Sequence, residues 1–300
     1  MKQAAIILGV LVAIMAMAIS GAAQAAAPAN QGQAPAQGQA QAQPAAGQAA
    51  APAGKRPPQA KTQPEFDAYK AAVANQNDPA ALEKAADDFA AKFPTSELTP
   101  LLYRATMRGY QAANNNEKLM EVSQKLLKSD PDDPEALVNV AEAIAEQVHE
   151  TDLDKAQKYE EARKDAQKAL QTVDNNVPSG VAPEQVDAYK GLLRSNAYSI
   201  LGTLDFNDEK YAEAEANFRK SIDAFPQPDP VVVLRLALSL DKQNKYPEAL
   251  KEANHAVDLT QDGTAAGKLA RQERDRLVAL TGGAKPAAPS TPAPAGNQPH

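Results

Sequence analysis

From Glu65 to Thr281, apolar residues recur at three- and four-residue spacing, the period that gathers them on one face of a helix. Runs of β-branched residues are scarce. The pattern is interrupted at Asn77-Asp78-Pro79, at Asn114-Asn115-Asn116, across Asp130-Pro131-Asp132-Asp133-Pro134 and between Pro226 and Pro230. Such residues stop one helix and start the next. The one sustained apolar run, Val231 to Leu234, falls inside a longer helical stretch that ends near Leu240. The pattern predicts helices throughout and no strands.

These helices come in pairs, and the pairs resemble one another. One unit reads Tyr198, Leu201-Gly202, Tyr211, Ala214, Phe218, Ser221 and Pro226; the next reads Val233, Leu236-Ala237, Leu240, Tyr246, Ala249, Ala253 and Ala256. From Tyr211 to Tyr246 is 35 residues. Gly202 and Ala237 lie where the two helices of a pair approach closest, and Ala214 and Ala249 are small for the same reason. Tyr211 and Tyr246 begin the second helix and plug the gap beneath the turn. Pro226 cannot continue a helix, so it ends the unit and redirects the chain.

The series resembles the tetratricopeptide repeat, a helix–turn–helix unit of about 34 residues with aromatic, Leu-Gly, aromatic, Ala, Phe and Pro positions. Three earlier units follow it more loosely: Phe66, Tyr69, Val73 with Leu82, Ala86, Phe89, Phe93, Pro94; Tyr103, Met107, Tyr110 with Leu119, Val122, Leu126, Pro131; and Leu137, Val140-Ala141, Ile144 with Tyr159, Ala162, Ala166, Ala169. The spacing from Ala162 to Ala214 exceeds the repeat length. That excess predicts a long helix through Val186, Leu192, Leu193 and Tyr198 that projects from the stack or packs across it. The fold class expected is all-α, an α-solenoid of about five helix pairs with a capping helix. The approximate repeats are residues 65–97, 98–133, 134–177, 182–228 and 229–262, with the cap at 264–281. No pair buries its apolar face alone, so stacking supplies the core. In the cap, Leu269, Leu277, Val278 and Leu280 are expected to face inward against a charged outer face.

Composition divides the rest of the chain. Residues 1–25 have the layout of a secretory signal: Lys2, an unbroken apolar run from Ala4 to Ile19, and the small-x-small site Ala23-Gln24-Ala25, with a cut expected before Ala26. The competing reading is an uncleaved anchor, since a span of about 20 residues suffices to cross a bilayer. Either way the remainder is exported, as a periplasmic or secreted protein after cleavage or as a membrane-anchored one facing the periplasm. Residues 26–64 contain no acid, no aromatic and no branched or long aliphatic residue. They cannot offset the entropy of ordering and read as a disordered spacer, spanning about 35 Å as a random coil. It is either a tether or a neutral tail. Residues 282–300 read as a second disordered tail.

Of 300 residues none is cysteine, which excludes disulfides, thiolate metal sites and cysteine nucleophiles. The net charge of −7 without a basic stripe argues against nucleic acid. None of the three histidines, His149, His255 and His300, is spaced with a second ligand or a nucleophile. Asp258, Thr260, Asp262 and Gly263 begin like a calcium loop, but Leu269 stands where its bidentate glutamate belongs. Gly263 to Lys268 has the wrong spacing for a phosphate loop. No catalytic residue, metal or cofactor is therefore expected.

What the resemblance implies is a concave groove, lined by the first helices of successive repeats, that holds a peptide or a partner protein. Its candidate residues here are Arg104, Arg108, Asn139, Glu142, Asn196, Ser199, Thr203, Arg235 and Lys242. Members that capture a chain-terminal carboxylate use Lys, Arg and Asn at such places; Glu135 and Glu142 interrupt the positive surface. The function expected is an adaptor or assembly factor, the alternative a passive spacer held to the membrane by its N-terminal segment.

Overall fold

The structure, a computed structural model, describes residues 57–149, 151–178 and 181–282. The expected signal segment 1–25, residues 26–56 of the expected spacer and the expected tail beyond Gly282 lie outside the described residues.

The described chain forms α1 (Gln63–Val73), α2 (Pro79–Lys92), α3 (Thr99–Ala112), α4 (Asn116–Ser129), α5 (Pro134–Gln147), α6 (Lys155–Thr172), α7 (Val186–Asn207), α8 (Tyr211–Ala224), α9 (Pro230–Lys242), α10 (Tyr246–Asp258) and α11 (Ala265–Thr281). A single 3-10 turn, Pro183–Gln185, leads into α7. Among the described residues there is no strand. Each helix packs on the one before it and the one after it. Contacts that skip a helix join α1 to α3, α5 to α7, α7 to α9 and α9 to α11. The odd-numbered helices thus form one layer and the even-numbered helices a second, which is the layout of an α-solenoid.

Local chemistry sets the ends. Asp78, Asp133 and Asp229 each accept a backbone N–H of the turn they cap, and each is followed by a proline. A side-chain oxygen at that place satisfies a donor left over at the helix start, and proline costs nothing there. Thr62, Asn115 and Thr264 cap α1, α4 and α11. The turns inside the second, fourth and fifth pairs are one motif repeated. Asn114, Glu209 and Asn244 take left-handed φ values of 53°, 59° and 60°. The next residue in each then bonds back to the first helix: Asn115 N to Tyr110 O, Lys210 N to Asp205 O and Lys245 N to Leu240 O, at 2.8–3.0 Å. The left-handed residue turns the chain over, and the bond closes the helix end.

Two expectations need correcting. The fold begins before Glu65: Lys61 N donates to Glu65 Oε2 at 2.6 Å and Lys61 Nζ to Thr95 O at 2.6 Å. Polar main-chain groups tie this stretch down without large apolar residues. In the cap, Leu269 and Leu280 are exposed, while Ala266, Ala270, Glu273, Leu277 and Val278 are buried. The stripe 266-270-273-277 follows helical spacing as well as the leucines do. It seats the helix closely because two members are alanine, and Arg276 neutralises Glu273 through bonds of 3.0 and 2.9 Å.

The core runs in consecutive clusters. The first holds Leu82, Phe89, Leu102, Met107, Val122 and Leu126; the second runs from Leu137 to Leu204; the third holds Phe218, Leu236, Leu240 and Leu277. Burying such a side chain contributes about 1.5–3 kcal/mol. The 22-residue α7 packs across the stack: its first turns bring Tyr189 and Leu193 into the second cluster beside α5 and α6.

Candidate functional site

The expected groove residues all fall on the odd-numbered layer: Arg104 and Arg108 on α3, Asn139 and Glu142 on α5, Asn196, Ser199 and Thr203 on α7, Arg235 and Lys242 on α9. Their surroundings differ.

Arg104 is buried. Its Nε donates to Asp133 Oδ2 at 3.1 Å, Nη2 pairs with the same oxygen, and Asp130 lies 3.7 Å away. Arg108 Nη2 stands 3.5 Å from Glu135 Oε2. That oxygen also accepts from the Tyr189 hydroxyl at 3.4 Å. Burial, followed by the Glu135 and Asp133 carboxylates, pushes the Tyr189 hydroxyl well above its ordinary value, so it remains a donor. The two arginines therefore weld the second repeat to the third. Sequence reasoning missed this joint because it pairs residues from α3, the cap of α5 and the start of α7, far beyond any local periodicity.

The rest of the layer is polar and more open. Arg235 Nη1 donates to Thr203 Oγ1 at 2.9 Å, and Thr203 donates in turn to Ser199 O at 2.8 Å. Asn196 and Ser199 are half-buried on α7. The Asn139 side-chain nitrogen is shielded and has no acceptor among the described residues. Lys242 is exposed in the last turn of α9, where a cation suits the helix dipole. Glu142 is exposed to solvent, yet its carboxyl is pushed up to about 7. The causes are the protein packed around it, then Glu146 and Asp229, with Arg235 opposing. Glu146 and Asp229 were not singled out from sequence; Glu146 is simply Glu142 plus one helical turn.

The packing residues hold the pairs together beneath this layer. Leu201, Gly202, Ala214, Phe218, Ala237, Ala249 and Ala256 are buried. A Cβ on Gly202 would lie 2.7 Å from the Phe218 ring, so the small residue admits an aromatic side chain. Tyr211 starts α8 and meets Phe206 edge-on, with ring centroids 5.4 Å apart. Tyr246 starts α10 and donates to Asn244 Oδ1 at 2.6 Å. Tyr198 is half-buried with Lys220 over its ring at 5.4 Å, and Pro226 is exposed just past the end of α8. Asp262, from the stretch that begins like a calcium loop, pairs with Arg271. Among the described residues, no helix is long and apolar enough to cross a membrane.

Stacked helix pairs, a repeated left-handed turn within them and small residues at the close approaches define a tetratricopeptide-like α-solenoid. No family model and no curated protein matches the chain. Among solved structures it is similar to an assembly chaperone of RpL4 (11% identity, 72% of this chain, 98% of that chain, TM-score 0.39). It is similar also to PilW, a type IV pilus biogenesis factor (14%, 69%, 98%, TM-score 0.36). A third is a tetratricopeptide repeat protein from Parabacteroides merdae (15%, 73%, 91%, TM-score 0.35).

Proposed function

We propose that this chain is an exported, non-catalytic scaffold that receives a protein or peptide along the inner face of its odd-numbered helices, as an adaptor or assembly factor. The observation behind this reading is the face formed by α5, α7 and α9. It offers Asn139, Glu142, Asn196, Ser199, Thr203, Arg235 and Lys242, polar groups carried by successive helices of one layer. Arg104 and Arg108 serve it from beneath by holding the second and third repeats at a fixed angle. Export rests on the sequence of residues 1–25.

Site-specific photo-crosslinking tests the reading. A photoreactive residue at Ser199 or Asn196 is expected to trap a partner in intact cells. The same group at Glu160, exposed on α6 of the other layer, is expected to trap none. Adducts at Glu160 alone would move the binding face to the other layer, and none at any position while shortening residues 26–64 disrupts function would replace the scaffold with the passive spacer. N-terminal sequencing of the mature chain checks export: a start at Ala26 is expected.

A further inference from the structure

At the N-terminal end of the stack, the start of α1 and the start of α3 enclose a cleft of about 640 Å³, lined among others by Pro58, Ala60, Phe66, Tyr69, Leu98 and Leu101. One wall is the non-helical stretch Pro57 to Ala60, held in place by Gln59 N donating to Glu97 Oε2 at 3.3 Å. Phe66 is 45% exposed and is the one exposed aromatic ring among the described residues. Tyr69 is half-buried behind it, edge-on to Phe89. Tyr103, Tyr110 and Tyr189 each donate to a carboxylate; the Tyr69 hydroxyl has no hydrogen-bond partner among the described residues. The cleft therefore joins an uncovered ring, aliphatic walls and a spare donor.

That combination suits a polyproline helix. Its proline rings pack on aromatic side chains, it is ordered before it binds, and its carbonyls have no internal donors, so a hydroxyl can meet one. The chain carries such a ligand. Pro286, Pro289 and Pro292 stand three residues apart, and with three residues per turn they share one edge of that helix. The prolines upstream of the cleft, Pro28, Pro35, Pro44 and Pro52, are seven or more residues apart and form no such edge. Reach decides whose cleft is filled. Pro286 follows Gly282 by four residues, about 12 Å of polyproline chain. In the odd-numbered layer α11 stands five helix steps from α1, roughly 40–50 Å at the usual helix separation. The segment cannot return to its own cleft. We infer that residues 286–292, which lie outside the described residues, dock in the Phe66–Tyr69 cleft of a second copy of this chain. Such a contact joins opposite ends of the molecule, so it adds copies head to tail, and it leaves the face of α5, α7 and α9 open.

Two measurements on the full chain test this. In sedimentation velocity the chain is expected to associate as its concentration rises, and to stay single when Pro286, Pro289 and Pro292 are all changed to Ala. In fluorescence anisotropy a labelled peptide of residues 283–297 is expected to bind that single form. Phe66→Ala is expected to weaken the peptide about tenfold, the scale of one lost aromatic contact. Leu269→Ala, exposed at the other end of the stack, is expected to change it less than about twofold. Phe66 and Leu269 are both exposed, so both variants keep the fold, which circular dichroism melts check. Equal binding by Phe66→Ala and the parent, equal binding by a peptide with the three prolines changed to Ala, or no binding at all would overturn the inference. A peptide of residues 38–56 that binds more tightly than 283–297 would also overturn it, giving the cleft to the upstream segment.

Discussion

Arg104 donates to Asp133 across the boundary between the second and third repeats, and Asp133 at the same time accepts Ala136 N at 2.8 Å to cap α5. One buried carboxylate, 1% exposed, thus starts a helix and sets its angle to the previous pair. Replacing Asp133 with Ala removes both and strands a buried guanidinium. The expected loss is about 3–5 kcal/mol, read from urea unfolding. Asp133→Asn, which keeps a capping oxygen, is expected to recover about 1 kcal/mol of it. Equal losses for the two variants would show that the cap contributes nothing.

Gly202 and Gly191 are both closed to a side chain, for different reasons. A Cβ at Gly202 meets the Phe218 ring at 2.7 Å, and one at Gly191 meets the Ala224 carbonyl oxygen at 2.7 Å. Each Gly→Ala change is expected to destabilise by about 1–3 kcal/mol. Phe218→Leu in the same chain should relieve Gly202→Ala and leave Gly191→Ala unchanged, because a ring can be trimmed and a backbone cannot. Thermal midpoints of the four variants decide this.

Glu209 is held at a φ of 59°, a conformation in which side chains other than Asn and Gly are strained. Its counterparts in two other pairs are Asn114 and Asn244. Glu209→Gly is expected to stabilise by about 0.5–1 kcal/mol, since relief of strain exceeds the added chain entropy. Chemical denaturation measures it.

The protein packed around Glu142, then Glu146 and Asp229, push its carboxyl from the ordinary 4.5 up to about 7, with Arg235 opposing. In the unfolded chain it would lose its proton sooner, so the folded state binds more protons between those two values, and stability falls as pH rises through that window. Glu142→Gln escapes this. It should melt higher than the parent at pH 8, with the advantage shrinking on acidification towards 4.5. A constant difference across that range would place Glu142 in an ordinary solvated setting. Carbon-detected NMR of the carboxyl gives the midpoint directly.

Burial pushes the Glu83 carboxyl up, but hydrogen bonds from Lys125 (2.7 Å) and Tyr110 (2.6 Å) outweigh it and hold the group below its usual range. A depressed carboxylate contributes stability above its unfolded value that is lost as pH falls through the folded one. Lys125→Met is expected to cost about 2 kcal/mol at neutral pH and less in acid, where Glu83 becomes neutral. Unfolding curves at the two pH values test the difference.

The helix pairs were legible because their evidence is local. Alanine and leucine spacing names the buried faces, and Asp-Pro and Asn runs name the ends. The joints were not. Arg104 reads as a groove cation until Asp133 folds back on it, and Tyr189 reads as part of an ordinary helix until α7 crosses to Glu135. Leu269 and Ala270 lie on faces that periodicity scores alike. Only the neighbour on which α11 rests decides between them, in favour of the smaller side chain. The same holds for Glu142: its spacing assigns it to a first helix, but its altered acidity depends on the protein packed around it, then on Glu146 and on Asp229, which arrives four helices later.

The length of α7 governs where this array can grow. Between Pro226 and Asp229 one pair hands over to the next through a short turn, and another unit of the same pitch could be spliced there with both of its faces met. At the entry to α7 no such splice fits. Arg194 reaches back to Asp174 and Tyr189 to Glu135, while Ser195 pairs with Ser221 on α8, so the third and fourth pairs share one beam. Duplication of repeats could extend this protein at its C-terminal end while its middle stays at fixed gauge.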